Sequence, residues 1–422
     1  MSLIAPLTET PSDDRLAVER LEWCLARIDA IEADVHAWVR VDRENARYRA
    51  KALDADRAAG RPTGPLHGLP IGVKDTIDVA GLPTEAGFAP WRDRLAHVDA
   101  PVVARLRAAG AIILGKTVAT TFAWVDPPIT RNPWDLTRTP GGSSSGSAAA
   151  VASGMCLGAL GSQTGGSITR PAAYCGVCGL KPTFGALDVQ GLVPLAPSLD
   201  HPGPIARTVA DLALLWQVLS GTKPAEPSSG PPSIGRVRGL FDERSTPVMA
   251  NAFDANLARF ERAGAKVADA TLPSLFDDVL YRFRTILARE ASDYHRPILA
   301  LHEADYPPKL MALVTEGMAV TEDDYQAARR HQAGLRAAMS APFDTFDALI
   351  TPAATGPAPD LSTTGDPVFN APWSYCGLPT VSMPIGLAPD GLPLAIQLIG
   401  RPRGEAALLA IAAWCERALQ AS

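Results

Sequence analysis

Apolar residues recur at near-helical spacing at the start of the chain, at Leu16, Leu21, Leu25, Ile28 and Ile31. This predicts an amphipathic helix, with Asp13 and Asp14 as candidate caps. A second helix is predicted over 43–58, ending near Gly60. From 64 to 84 the chain reads GPLHGLPIGVKDTIDVAGLPT, where glycine and proline break short β-branched runs. That pattern predicts strand, turn and strand. A helix over 101–109 and a short buried strand over 111–114 follow. Further on the pattern predicts a charged amphipathic helix over 321–339, strands over 346–351 and 391–400, and a terminal helix over 405–419.

Residues 140–184 break this rhythm. They read PGGSSSGSAAAVASGMCLGALGSQTGGSITRPAAYCGVCGLKPTF, rich in Gly, Ser and Ala and nearly free of charge. A flexible linker would lack the apolar stretches AAAVA and MCLGAL. The segment therefore predicts a Gly-rich turn, an Ala-rich helix, a buried strand and a second Gly-rich turn. Small side chains at this density let backbones approach closely. The best linker candidate is TKPAEPSSGPPS, 222–233. With no internal repeat, residues 1–422 are expected to form a single α/β domain, with 222–345 as a helical excursion on the same core.

Composition narrows the function. The chain has 422 residues, 47% of them hydrophobic, enough for a large buried core. A net charge of −6 offers no phosphate-tracking surface, so no nucleic-acid partner is expected. No apolar run is long enough for a membrane span, and the first residues lack the features of a signal peptide. Six scattered cysteines fit reduced thiols, so a cytoplasmic location is expected.

Three short motifs tempt and are set aside. From Gly110 to Thr117 the chain reads GAIILGKT, which matches a phosphate-binding loop and would make a nucleotide-binding module. The four residues inside it are themselves the expected strand, whereas a phosphate loop follows its strand. GSSSG at 142–146 fits a nucleophile elbow centred on Ser144, but a loop precedes it where a strand is required. Its possible partners, Asp200, His201, His295 and His302, lack local signatures. Cys175 and Cys178 have no second pair or suitably spaced histidines, so no metal site is expected, and no cofactor either.

Acyl transfer needs an activated nucleophile, a proton shuttle and donors for an oxyanion. In SQTGGS, Thr164, Gly165, Gly166 and Ser167 offer consecutive backbone N–H groups, and glycine lets such a turn form an anion nest. GGSSSGSAAAVA followed by GSQTGGSITRPAAYCGVCGLKPT resembles the signature of the amidase-signature family. HGLPIGVKDTIDVAGLPT, SLDHPGPIARTVADLALL and GLPLAIQLIG resemble its other segments, in the family's order. The resemblance implies an α/β fold with a large mixed β-sheet flanked by helices. It also implies hydrolysis of a small-molecule amide through Ser167, Ser143 and Lys74. Ser167 would be the nucleophile, Ser143 a bridging residue in a cis peptide, and Lys74 the base, with the oxyanion held by 164–167 and no histidine required. A lysine has an ordinary pKa of about 10.4, so burial must lower it before it serves as a base near neutrality.

Two positions depart from the family pattern: Gln163 stands where Asp is frequent, and Thr169 where Arg is frequent, with Arg170 one residue later. This variant resembles compact malonamidase-type amidases. In that subgroup an arginine near the site can receive a substrate carboxylate, so Arg170, with Gln163 beside it, is a candidate substrate contact. Alternatively Arg170 pairs with a structural carboxylate or with backbone. Phe122, Trp124, Trp373 and Tyr375 are candidate pocket walls or core. The glutamine-hydrolysing subunit of a tRNA-dependent amidotransferase shares the signature, although the short chain and the QTGGS variant argue against it. A homodimer is compatible with the sequence.

Overall fold

The computed structural model describes residues 16–222 and 230–420. Asp13, Asp14 and most of the expected linker lie outside them. The first helix, Ala17–Val35, buries Leu21, Leu25, Ile28, Ile31 and Val35 as its spacing requires. Its first amides are capped from a distance. Ala17 N and Val18 N donate to the Asp54 carboxylate at 2.7 and 3.0 Å, and Asp54 belongs to the second helix, Arg43–Ala58.

Eleven strands form one mixed sheet. They are β1 (Trp38–Val41), β2 (Pro70–Lys74), β3 (Ile112–Thr117), β4 (Gly158–Gln163), β5 (Cys178–Lys181), β6 (His201–Ala206), β7 (Ser233–Arg236), β8 (Lys266–Asp269), β9 (Ala348–Pro352), β10 (Thr380–Leu387) and β11 (Pro393–Ile399). Their order is β1-β3-β2-β4-β6-β5-β10-β11-β9-β7-β8. β2 runs parallel to β3 on one side and β4 on the other, and every residue of β2 is buried. A strand covered on both faces has no alternation to display, which is why PIGVK reads as a continuous run. The antiparallel pairing of β5 with β10 joins the first half of the chain to the last.

Several expectations need correction. Only β2 forms in 64–84: beyond Lys74 the chain turns, leaving isolated bridges at Ile77 and Pro83. The strand expected at 111–114 extends through Thr117, because β1 and β2 pair with it there. The region 222–345 is not purely helical, since β7 and β8 extend the sheet edge through parallel pairing with β9. Its helical part comprises Val279–His302, Pro308–Ala319 and Glu322–Ala338. The last of these is capped by Thr321 Oγ1, which accepts from Asp324 N at 3.2 Å.

The Ala-rich helix, Ser145–Ala152, is wholly buried. A Cβ at Gly146 would lie 2.1 Å from Ala37 O and 2.4 Å from Val118 N, both backbone atoms that cannot swing aside. Gly146→Ala should therefore lower the urea midpoint by an amount equivalent to about 3 kcal/mol, the upper end of ordinary overpacking. An unchanged midpoint would contradict this close approach.

Candidate active site

Three lysines are completely buried: Lys74, Lys116 and Lys181. Their partners separate them. Lys116 contacts Asp75 Oδ1 at 2.9 Å and donates to Thr84 Oγ1 and Pro83 O, so its charge is matched. Lys181 donates only to the carbonyls of Pro182 and Leu378. Lys74, at the end of β2, donates to Ser143 Oγ at 2.6 Å, Ser162 Oγ at 2.8 Å and Ser162 O at 3.2 Å. Because Asp75 is taken up by Lys116, Lys74 has no carboxylate in contact. Burial pulls its pKa down to about 7, opposed by the charge of Asp200. Burial brings Lys181 to about 7 as well, so a lowered pKa alone does not mark a base. The hydroxyls do.

Ser143 and Ser167 each stand two residues before a helix, Ser145–Ala152 and Thr169–Cys175 respectively. The Gly142–Ser143 bond is cis. The two turns are stitched together where Ser144 N donates to Ser167 O at 3.2 Å. Thr164, Gly165, Gly166 and Ser167 all line one cavity of about 330 Å³. The carbonyl of Gly165 accepts from Gln163 Nε2 and Ser374 Oγ, and that of Gly166 accepts from Arg170 N. Among the described residues, none of the four backbone amides of 164–167 donates to a protein acceptor. They form a row of available donors next to the Ser167 hydroxyl, the arrangement that stabilises an oxyanion. Gly166 is required because a Cβ there would meet Asn370 Oδ1 at 2.5 Å.

Gln163 is turned away from the cavity. Its Oε1 accepts from Ile168 N, Thr169 N and Thr169 Oγ1, and its Nε2 donates to Gly165 O and Ser374 Oγ. It shapes the turn from inside, so substrate contact is not where its side chain points. Arg170 lies on the cavity wall although nearly fully buried. Its Nε donates to Thr364 O and its Nη2 to Gly142 O, while Nη1 has no partner.

The remaining wall was only partly legible. Trp124 lines the cavity with Ala123 and Val125, whereas Phe122, Trp373 and Tyr375 sit in the core. Leu280, Phe283 and Leu287, from the helix Val279–His302, complete the apolar side, and Arg244, Arg284 and Asp366 stand among the lining groups. Helical spacing at 280, 283 and 287 was the available signal, but spacing cannot tell a core face from a cavity face. Ser162 had no signal beyond its place in a buried strand.

The set-aside motifs resolve simply. GAIILGKT is β3 with its lysine committed to Asp75. Ser144 Oγ donates to Ser162 O, while His201 and His295 bond to Gln163 O and Tyr306 Oη respectively. Cys175 and Cys178 are buried free thiols.

Comparison with known proteins agrees with this geometry. The family model described as Amidase matches residues 19–409. The chain is similar to a component of the glutamyl-tRNA(Gln) amidotransferase of Symbiobacterium thermophilum, with 37% identity over 454 aligned residues covering 94% of this chain and 92% of that one. It is also similar to the crystal structure of an amidase, at a TM-score of 0.89 and 32% identity covering 96% of each chain. A third likeness is to the native peptide amidase of Stenotrophomonas maltophilia, at a TM-score of 0.82 and 27% identity covering 96% of this chain and 94% of that one.

A lysine acts as a base only without its proton. With Lys74 near 7, the reactivity of Ser167 should be low below that pH, rise about tenfold per unit, and level off above it. The rate of Ser167 modification by a fluorophosphonate, followed against pH, checks this. A profile flat down to pH about 5 would exclude Lys74 as the base.

Proposed function

The chain belongs to the Amidase family and is an amide-hydrolysing enzyme, and on that premise we propose that it cleaves small acid-bearing amides through an acyl-enzyme on Ser167. In this reading Ser167 Oγ attacks the amide carbonyl while its proton passes to Ser143 and the Ser143 proton to neutral Lys74. The oxyanion faces the N–H groups of 164–167. Collapse returns the proton from Lys74 through Ser143 to the leaving nitrogen, and water releases the acid. The 2.6 Å contact between Lys74 and Ser143 supports the relay.

The observation that carries the substrate class is Arg170 Nη1, a buried donor with no protein partner on the same wall as Ser167. A guanidinium stays charged near neutrality and favours a carboxylate. Three arginines against one aspartate line the cavity, which agrees. Both features support a kinship with the malonamidase-type amidases. The sheet running through both halves supports reading 1–422 as a single amidase domain. Six buried free thiols support a cytoplasmic location.

The curated relatives favour a second reading, the glutamine-hydrolysing subunit of an amidotransferase. Chain length does not oppose it, since the alignment spans 92% of that relative. Glutamine is itself an amide bearing a carboxylate, so Arg170 serves either reading. Ammonia release from malonamate by the isolated chain supports the stand-alone enzyme. Glutaminase activity that needs partner subunits supports the second.

Arg170 also holds backbone carbonyls, so its removal lowers activity on every substrate, and the informative quantity is a ratio. In Arg170→Ala the preference for malonamate over propionamide, as kcat/KM, should fall at least about tenfold, the value of one charge-assisted hydrogen bond. An unchanged ratio would remove Arg170 from substrate recognition.

A further inference from the structure

Asp200 has no part in the proton relay, yet it is buried, at 8% exposed, beside the oxyanion turn. The β4–β6 ladder pairs Gln163 with His201, which sets Asp200 next to Thr164. Thr164 Oγ1 donates to Asp200 Oδ1 at 2.5 Å, and Leu195 N and Ala196 N donate to Oδ2 at 2.9 and 3.1 Å. The charged groups facing it are Lys74 from β2 and Glu290 from the helix Val279–His302. Glu290 is itself bound by Ser198, Tyr325 and Arg329. Asp200 is therefore the charge that acts on Lys74.

We propose that Asp200 is a positioning residue for acylation, its carboxylate anchoring Thr164 at the head of the donor row and serving as the distant counter-charge of Lys74. The proposal rests on the acyl-enzyme reading of Ser167. Anchoring the Thr164 side chain fixes the backbone at the first of four amides, and an oxyanion donor is effective only when held in place beforehand. Because Asp200 opposes the effect of burial on Lys74, its loss makes the protonated lysine harder to form. Burial pushes Asp200 itself up to about 7, so the two groups titrate together.

The test measures the rate of fluorophosphonate labelling at Ser167 in the full chain, located by mass spectrometry, across pH about 5 to 9. Asp200→Asn keeps the shape and removes the charge. Its plateau should fall about tenfold or more, and its acid limb should move to lower pH. Thr164→Val removes only the anchored hydroxyl, so its plateau should fall similarly with the limb in place. An unmoved limb in folded Asp200→Asn would overturn the counter-charge and reduce Asp200 to a structural prop. If Asp200→Asn does not fold, an undiminished plateau in Thr164→Val overturns the proposal. A wild type unlabelled at Ser167 at every pH would overturn the acyl-enzyme reading and the proposal with it, an outcome distinct from a normal wild type with unshifted variants.

Discussion

Lys74 sits where an ammonium ion is poorly solvated, and much of the surrounding structure follows from keeping it there. Burying a charge without a partner costs several kcal/mol, which proteins avoid by pairing the charge or giving up the proton. The neighbouring carboxylate is withheld, because Asp75 is bound to Lys116 from the adjacent strand. What reaches Lys74 is two serine hydroxyls and one carbonyl. These groups orient the amine and leave its proton loosely held. The small residues around it serve the same end by bringing two backbone turns within reach of one side chain. Arg170 acts at both levels, holding the Gly142 carbonyl beside the bridging serine with one nitrogen and presenting another to the cavity.

Much of this was legible in the sequence, and its limits have physical causes. Helices with one wet face declare their period, so 43–58 was bounded to the residue and Glu405–Gln420 nearly so. Buried strands do not, and β7 and β8 went unseen because four residues at a sheet edge carry almost no pattern. The triad candidates were legible because long Gly-Ser runs resemble those of one family. The burial of Lys74 beside Ser162 was not, since residues 88 apart meet only through the pairing of β2 with β4. Gln163 was expected to touch substrate because it flanks the nucleophile's turn. It turned inward because three donors of the following helix needed an acceptor there. The aromatic candidates divided by geometry: Trp124 follows two residues with left-handed backbone, Phe122 and Ala123, and that turn sends Phe122 into the core and leaves Trp124 at the cavity.

Chemistry and recognition are thus drawn from different stretches of chain. Lys74, Ser143 and Ser167 come from the first half and the sheet strands β2 to β4. The apolar wall comes from the helical insertion, and the last side of the cavity from Pro367, Val368 and Ala371. Substrate preference can therefore change through the later segments while the proton relay, packed against the sheet, stays as it is.

The seam between β5 and β10 also has a consequence for synthesis on the ribosome. All three chemical groups have been made once Ser167 emerges, but the strand that closes the sheet, and the residues that close the cavity, follow about 200 residues later. At translation rates of roughly 5–20 residues per second, that interval lasts about 10–40 seconds. Through that time the nascent chain carries a nucleophile and a lysine with no shared interior to lower the lysine's proton affinity. Late pairing of distant strands thus acts as a timer, keeping reactivity from the polypeptide until the fold that directs it is complete.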